Sequence, residues 1–240
     1  MKKLFYLMCL LPLALTGCKN APRIFDVMDG PGMVNEQFMS LDKIESEWKG
    51  GDIPVQNGSE RPSVTDLLTA FNERFPSFGV DSLLRKLNEP GFEGEYYAED
   101  GTGTIQHFPS KEYVLLSTET DAESVEACVM RRENGHSLFV CSLNKPTDPV
   151  ADFHVFYDYD PQTKTLTPED EPWKKVSPAM EGNTLIPSCN LFDGVFLMGE
   201  FNPDDTLLEN PIYCHTFEFD GQDIVYTGYQ ANIPEDEEGE

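Results

Sequence analysis

Apolar residues in this chain change their spacing near residue 92, from a helical period to a period of two. Phe38, Leu41, Ile44 and Trp48 recur at helical spacing until Lys49-Gly50-Gly51 interrupts them. A loop rich in Gly, Asn, Pro and Ser follows, and then Ser63 stands as an N-cap with Asp66 three residues on. Val64, Leu67, Leu68, Phe71 and Phe75 form one apolar stripe that Pro76 ends. A shorter helix, Asp81 to Asn88, turns Leu83, Leu84 and Leu87 inward before Pro90-Gly91. Together they predict an αα-hairpin over 63–88.

From Phe92 onward alternation predicts strands at Glu95 to Ala98, Thr104 to Phe108, Glu112 to Thr118, Ser124 to Arg132, Ser137 to Leu143 and Asp152 to Tyr159. The fourth and fifth flank Asn134-Gly135, a strong two-residue hairpin signal. With that loop Glu133 faces His136, and counting outward sets Cys128 opposite Cys141 at a non-hydrogen-bonded pair, a geometry suited to a cross-strand disulfide. Ala127, Val129, Leu138 and Val140 then share one face, and Met130 and Phe139 share the other with the cysteines. A ribbon apolar on both faces belongs in the interior.

Asp160-Pro161-Gln162-Thr163 has turn chemistry, and Lys164 to Thr167 starts a returning strand. Asp158, Asp160, Gln162, Lys164 and Glu169 also occupy EF-hand loop positions, but Thr163 stands where that loop needs Gly, so the turn reading is preferred. A weak repeat sets Leu138 to Asp148 and His154 to Asp160 against Val195 to Asp205 and His215 to Asp220. It adds strands at Gly194 to Phe201, Ile212 to Phe219 and Asp223 to Tyr229. The fold class expected is α+β, with N-terminal helices packed on a mainly antiparallel sheet that contains two related strand units. The folded part is one domain over 37–230, or sub-units 37–172 and 183–230, with an acidic tail over 231–240.

The amino terminus changes where this domain is expected to reside. Lys2 and Lys3 precede an apolar run from Leu4 to Leu15, too short to span a membrane, which predicts a signal peptide over 1–17. Leu15-Thr16-Gly17-Cys18 resembles the lipobox of bacterial lipoproteins, which implies lipidation of Cys18 and a tether over 18–36. The chain is similar in this respect to Bacteroidetes envelope lipoproteins. Without an acidic run after Cys18, the resemblance implies the periplasmic side of the outer membrane. A net charge of −26 argues against nucleic acid as a partner and leaves membrane attachment to the lipid.

Once Cys9 leaves with the signal and Cys18 takes the lipid, Cys128, Cys141, Cys189 and Cys214 remain. Two disulfides, Cys128 with Cys141 and Cys189 with Cys214, suit an oxidising compartment; buried thiols are the alternative. There is no Gly-x-Ser-x-Gly or Cys-x-x-Cys, and no catalytic residue, cofactor or metal is assigned. Of the four histidines, His107, His136, His154 and His215, only His154 and His215 carry a residual metal hypothesis, with Asp158 or Glu218. Glu95 and Glu200 are the candidates for a carboxylate pair.

Asp81-Ser82-Leu83 and Asp205-Thr206-Leu207 resemble the O-glycosylation string of Bacteroidetes envelope proteins. The order of elements from Ser63 to Tyr159 is similar to small lipoproteins of outer-membrane assembly and to tandem β-lactamase-inhibitor-like modules; it transfers no functional residues. The expected function is a non-catalytic envelope lipoprotein that binds a protein or glycan, with Tyr96, Tyr97, Phe156, Tyr157 and Tyr159 as candidate aromatics. A periplasmic glycan hydrolase using carboxylates is the competing class. A deep cleft holding two close carboxylates favours the enzyme, and a flat aromatic patch favours binding.

Overall fold

The computed structural model describes residues 50–56, 58–76, 78–97, 103–118, 124–144, 153–175, 182–202, 204 and 211–231. Among these residues twelve strands form two antiparallel sheets. The eight-stranded sheet contains β1 (Ile53–Pro54), β2 (Gly94–Tyr97), β3 (Gly103–Phe108), β4 (Tyr113–Thr118), β5 (Ser124–Arg131), β6 (Ser137–Asn144), β7 (Phe153–Asp160) and β8 (Thr165–Glu169), ordered β1-β8-β7-β6-β5-β4-β3-β2. The four-stranded sheet runs β12-β11-β10-β9, built from β9 (Thr184–Asn190), β10 (Val195–Phe201), β11 (Tyr213–Phe219) and β12 (Ile224–Ala231). Two short helices, α1 (Val64–Arg74) and α2 (Phe78–Leu87), are the only α-helices among the described residues.

The capping box at Ser63 and Asp66 is closed in both directions, which starts α1 where the sequence places it. Phe71 of α1 packs its ring against Phe139 and Tyr157, both at 5.8 Å, so the helices cover part of one face of the large sheet. The other face meets the small sheet: Cys128, Leu138, Val140 and Phe156 share a core with Phe196, Met198, Phe217 and Ile224.

The α+β expectation is therefore corrected. The architecture is mostly β, because a sheet buried on both faces needs two covering layers and the second here is another sheet. β9 escaped the sequence pattern because Pro187 interrupts it; proline lacks the N–H of a ladder and is tolerated on this edge strand.

The hairpin register is also corrected. Arg132 N donates to His136 O at 3.1 Å and Gly135 N to Arg132 O at 3.1 Å, which closes a three-residue loop with Gly135 at φ +88°. Ala127 now pairs with Cys141 and Cys128 with Val140. A one-residue slip turns every side chain over. Cys141 enters the helix-side core and Cys128 the core between the sheets, so they face opposite ways, and both are free and buried. Cys189 and Cys214 are not joined to each other either: β10 lies between them, and Cys189 stands opposite Phe196 while Cys214 stands opposite Gly199, on the other face. The expected disulfides are not present in this structure.

The two proposed repeat units are the meanders β6-β7-β8 and β10-β11-β12, in different sheets. Their aligned phenylalanines, Phe139 and Phe196, fall in different cores. The expected helix around Phe38 to Trp48, the tether, the tail beyond Ala231 and Thr206 lie outside the described residues, as does the side chain of Ser82. Among the described residues no helix is long and apolar enough to cross a membrane.

Candidate binding site

Glu200 and His215, separate candidates in the sequence, meet on neighbouring strands. His215 Nε2 lies 2.9 Å from Glu200 Oε2, and the side chains are 2% and 0% exposed. Glu200 Oε1 accepts from Asn183 Nδ2 at 2.5 Å, and His215 Nδ1 lies 3.2 Å from the Tyr226 hydroxyl. A buried acid and imidazole are costly unless paired and hydrogen-bonded, and this pair is both.

The pair sits beneath three tyrosines. Register places His215 opposite Tyr229, Phe217 opposite Tyr226 and Tyr213 opposite Glu200, all on the face that also carries Phe196 and Met198. Tyr226 and Tyr229 are nevertheless 42% and 59% exposed, so the cover of the large sheet ends short of them. The rings make one connected cluster: Tyr213 meets Tyr229 edge-on at 5.3 Å, and His215 lies 5.9 Å from Tyr226 and 5.8 Å from Tyr229. Burial, then Tyr229 and Glu200, push the Tyr226 phenol above its ordinary range and keep it protonated.

Two residues three apart in a regular strand point to opposite faces. A bulge brings Tyr226 and Tyr229 to the same one. The ladder shifts between Thr216 and Phe217, so that Gly228 pairs with Thr216 and Tyr226 with Phe217, leaving Thr227 as the extra residue. Gly228 takes φ +140°, and the hydroxyls of Thr216 and Thr227 lie 3.0 Å apart across the bulge. Thr216 Oγ1 donates to Gly228 O at 3.2 Å, and Thr227 Oγ1 to Thr216 O at 3.1 Å. A Cβ on Gly228 would meet nothing within 4 Å, so any cost of substitution lies in the backbone. Gly228→Val should thus destabilise the fold by about 1–2 kcal/mol and separate the two tyrosines. Thermal unfolding reads the first effect and tyrosine accessibility to nitration the second.

The other sequence candidates do not join this site. Glu95 lies on β2, at the far edge of the other sheet, where Gln106 Nε2 donates to it at 3.0 Å, whereas Glu200 lies on β10 of the small sheet and bonds His215. Phe156, Tyr157 and Tyr159 are core residues, at most 3% exposed. Tyr96 and Tyr97 lie on β2, with side chains outside the described set. His107 Nδ1 lies 3.1 Å from Phe92 O and its ring stacks on Phe92.

His154 is buried beside Trp173, with Nδ1 2.6 Å from Ser142 Oγ and Nε2 without a well-formed partner. Its metal hypothesis gains no ligand set: Asp158 is taken by Arg132 and His136, Glu218 is exposed on the face opposite His215, and no metal-competent cluster occurs among the described residues.

A second feature is an open groove of about 550 Å³ lined by Asp52, His136, Asp158, Asp160, Glu169 and three threonines. Three of its four acids, Asp158, Asp160 and Glu169, are structurally committed, Glu169 through two bonds from Arg132. Asp158 pairs with Arg132 and lies 2.7 Å from His136 Nδ1, and Asp160 accepts from Gln162 N and Thr163 Oγ1 as a turn residue should.

The tyrosine cluster was missed in the sequence because strand parity puts Tyr226 and Tyr229 on opposite faces; the signal available was a lone glycine inside a strand pattern, Tyr226-Thr227-Gly228-Tyr229. Compared with known proteins, the chain matches no family model, no curated protein and no solved structure.

Proposed function

We propose that this protein is an envelope lipoprotein, anchored through Cys18 on the periplasmic side of the outer membrane, whose folded part binds a glycan or protein ligand without transforming it. The observation that carries the reading is the exposed Tyr226 and Tyr229 pair, fixed over a buried Glu200–His215 bond. Both Glu200 oxygens are engaged, by Asn183 and His215, which suits a support better than an acid catalyst facing substrate. The surface is an aromatic shelf, the form expected of a binding protein. Leu15-Thr16-Gly17-Cys18 behind its apolar run supports the anchor.

A benzophenone amino acid at position 229, illuminated in cells, should give a discrete adduct that the same group at position 163, in the acidic groove, does not give. Equal products from both positions would overturn the reading. Metabolic labelling with an alkyne fatty acid should mark the native chain and be lost in Cys18→Ser; label that persists in the variant would remove the anchor.

A further inference from the structure

We propose that the shelf takes a neutral sugar ring, stacked on Tyr229 and hydrogen-bonded to the Tyr226 hydroxyl; this rests on the shelf being the ligand site. The argument starts from what holds the two rings. Tyr229 is 59% exposed, yet Tyr213 meets its ring at 88° and 5.3 Å, and His215 lies against it at 5.8 Å. An exposed ring already fixed by neighbours loses little freedom on binding. The C–H face of a pyranose is a flat apolar surface that matches such a ring, and aromatic side chains serve as sequence-tolerant stacking platforms in the same way for nucleic-acid bases.

The polar half of the site distinguishes a sugar from other flat ligands. The Tyr226 hydroxyl is held at 3.2 Å by His215 Nδ1, whose Nε2 is fixed by the Glu200 carboxylate. In the neutral ring that keeps its N–H at Nε2 and donates it to Glu200, Tyr226 donates to Nδ1 and offers its oxygen outward as an acceptor. In the charged ring Nδ1 donates and Tyr226 offers its proton outward. A sugar hydroxyl both donates and accepts, so it completes either arrangement. An ammonium or a carboxylate completes only one.

Charge narrows the class further. A chain of net charge −26 with a carboxylate under the shelf disfavours uronates, sialylated glycans and phosphorylated ligands. A peptide would anchor apolar side chains in fully desolvated pockets, whereas this surface is open and its floor is polar.

The test is calorimetric titration of the detergent-solubilised full chain with neutral glucan, mannan, xylan and galactan hexasaccharides, with a hexauronate and a basic peptide as comparisons. At least one neutral hexasaccharide should bind, and the hexauronate should not. Tyr229→Ala should weaken binding at least tenfold and Tyr226→Phe three- to tenfold, with near-ultraviolet circular dichroism confirming that both variants keep their fold. No neutral binder, or affinity unchanged in Tyr229→Ala, would overturn the proposal. If the position-229 crosslinker captures a polypeptide while no hexasaccharide binds, the ligand class falls and the binding function stands. If it captures nothing, both fall.

Discussion

Replacing Arg132 by methionine is expected to lower the free energy of unfolding by about 2–3 kcal/mol. Arg132 follows β5 at the mouth of the central hairpin, with a side chain only 6% exposed. Its Nη1 donates to Asp158 and, at 2.7 Å, to Glu169 Oε1; its Nη2 donates to Glu169 Oε2 at 2.7 Å and approaches Asp223 at 3.9 Å. One guanidinium therefore gathers β7 and β8 of the large sheet and the β11–β12 turn of the small one. Glu133 N, donating to Gly221 O at 2.9 Å, joins the sheets at the same point.

Burial pulls the guanidinium down, but the hydrogen bonds and charge of Glu169 and Asp158 hold its pKa above the ordinary value. Methionine fills the space of the stem and leaves those carboxylates without their cation. Removing one partner of a buried pair costs about 3–5 kcal/mol, and the figure is reduced here because Glu169 is 32% exposed. Urea unfolding measures it. Arg131→Met is the comparison: the Arg131 side chain is 22% exposed against 6% for Arg132, and a smaller loss of about 1 kcal/mol is expected. Equal losses for the two variants would mean that Arg132 does not tie the sheets together.

The second large effect is pH-dependent. Burial depresses His154 to about 4, and the Pro187 backbone opposes the shift only in part. In the unfolded chain the ring takes its proton near the ordinary value of about 6.5, so the unfolded state binds protons first as pH falls. Stability should be full above about pH 6.5 and decline down to about pH 4, with a loss on the order of 3 kcal/mol from this ring. His154→Gln should remove that component while keeping a partner for Ser142. Urea unfolding at pH 7 and pH 4.5 should show a smaller pH loss in the variant than in the native chain. Identical losses would contradict the buried, neutral histidine.

Much of the fold is legible in local pattern. The capping box at Ser63, the stripe through Phe71 and the alternation of β3 to β8 all stand where the sequence places them, because each is decided within a few residues. What covers a sheet is decided by distant segments. The helices are visible in the pattern, but nothing local to β5 or β6 announces that β10 and β11 supply the second layer, so the pattern points to α+β where the fold is mostly β.

The hairpin shows the same limit at the scale of one residue. Asn-Gly serves a two-residue loop and a three-residue loop alike, since both accept glycine at positive φ. The hydrogen bond from Glu133 N to Gly221 O, reaching the other sheet, accompanies the longer loop, and that one residue separates Cys128 from Cys141. Glu200 and His215 were each legible as unusual strand residues. Their meeting, and the bulge at Gly228 that sets two tyrosines above them, depend on strand pairing that a single sequence does not carry.

The central claim is that both Tyr226 and Tyr229 stand on the His215 side of β12. Nuclear Overhauser contacts in protein with labelled tyrosine and histidine rings test it most directly. The structure predicts contacts from both tyrosine rings to the His215 ring, at centroid separations of 5.9 and 5.8 Å. A contact from only one of them, with the other ring near Glu218 on the opposite face, would show that the bulge is absent and that the shelf does not exist.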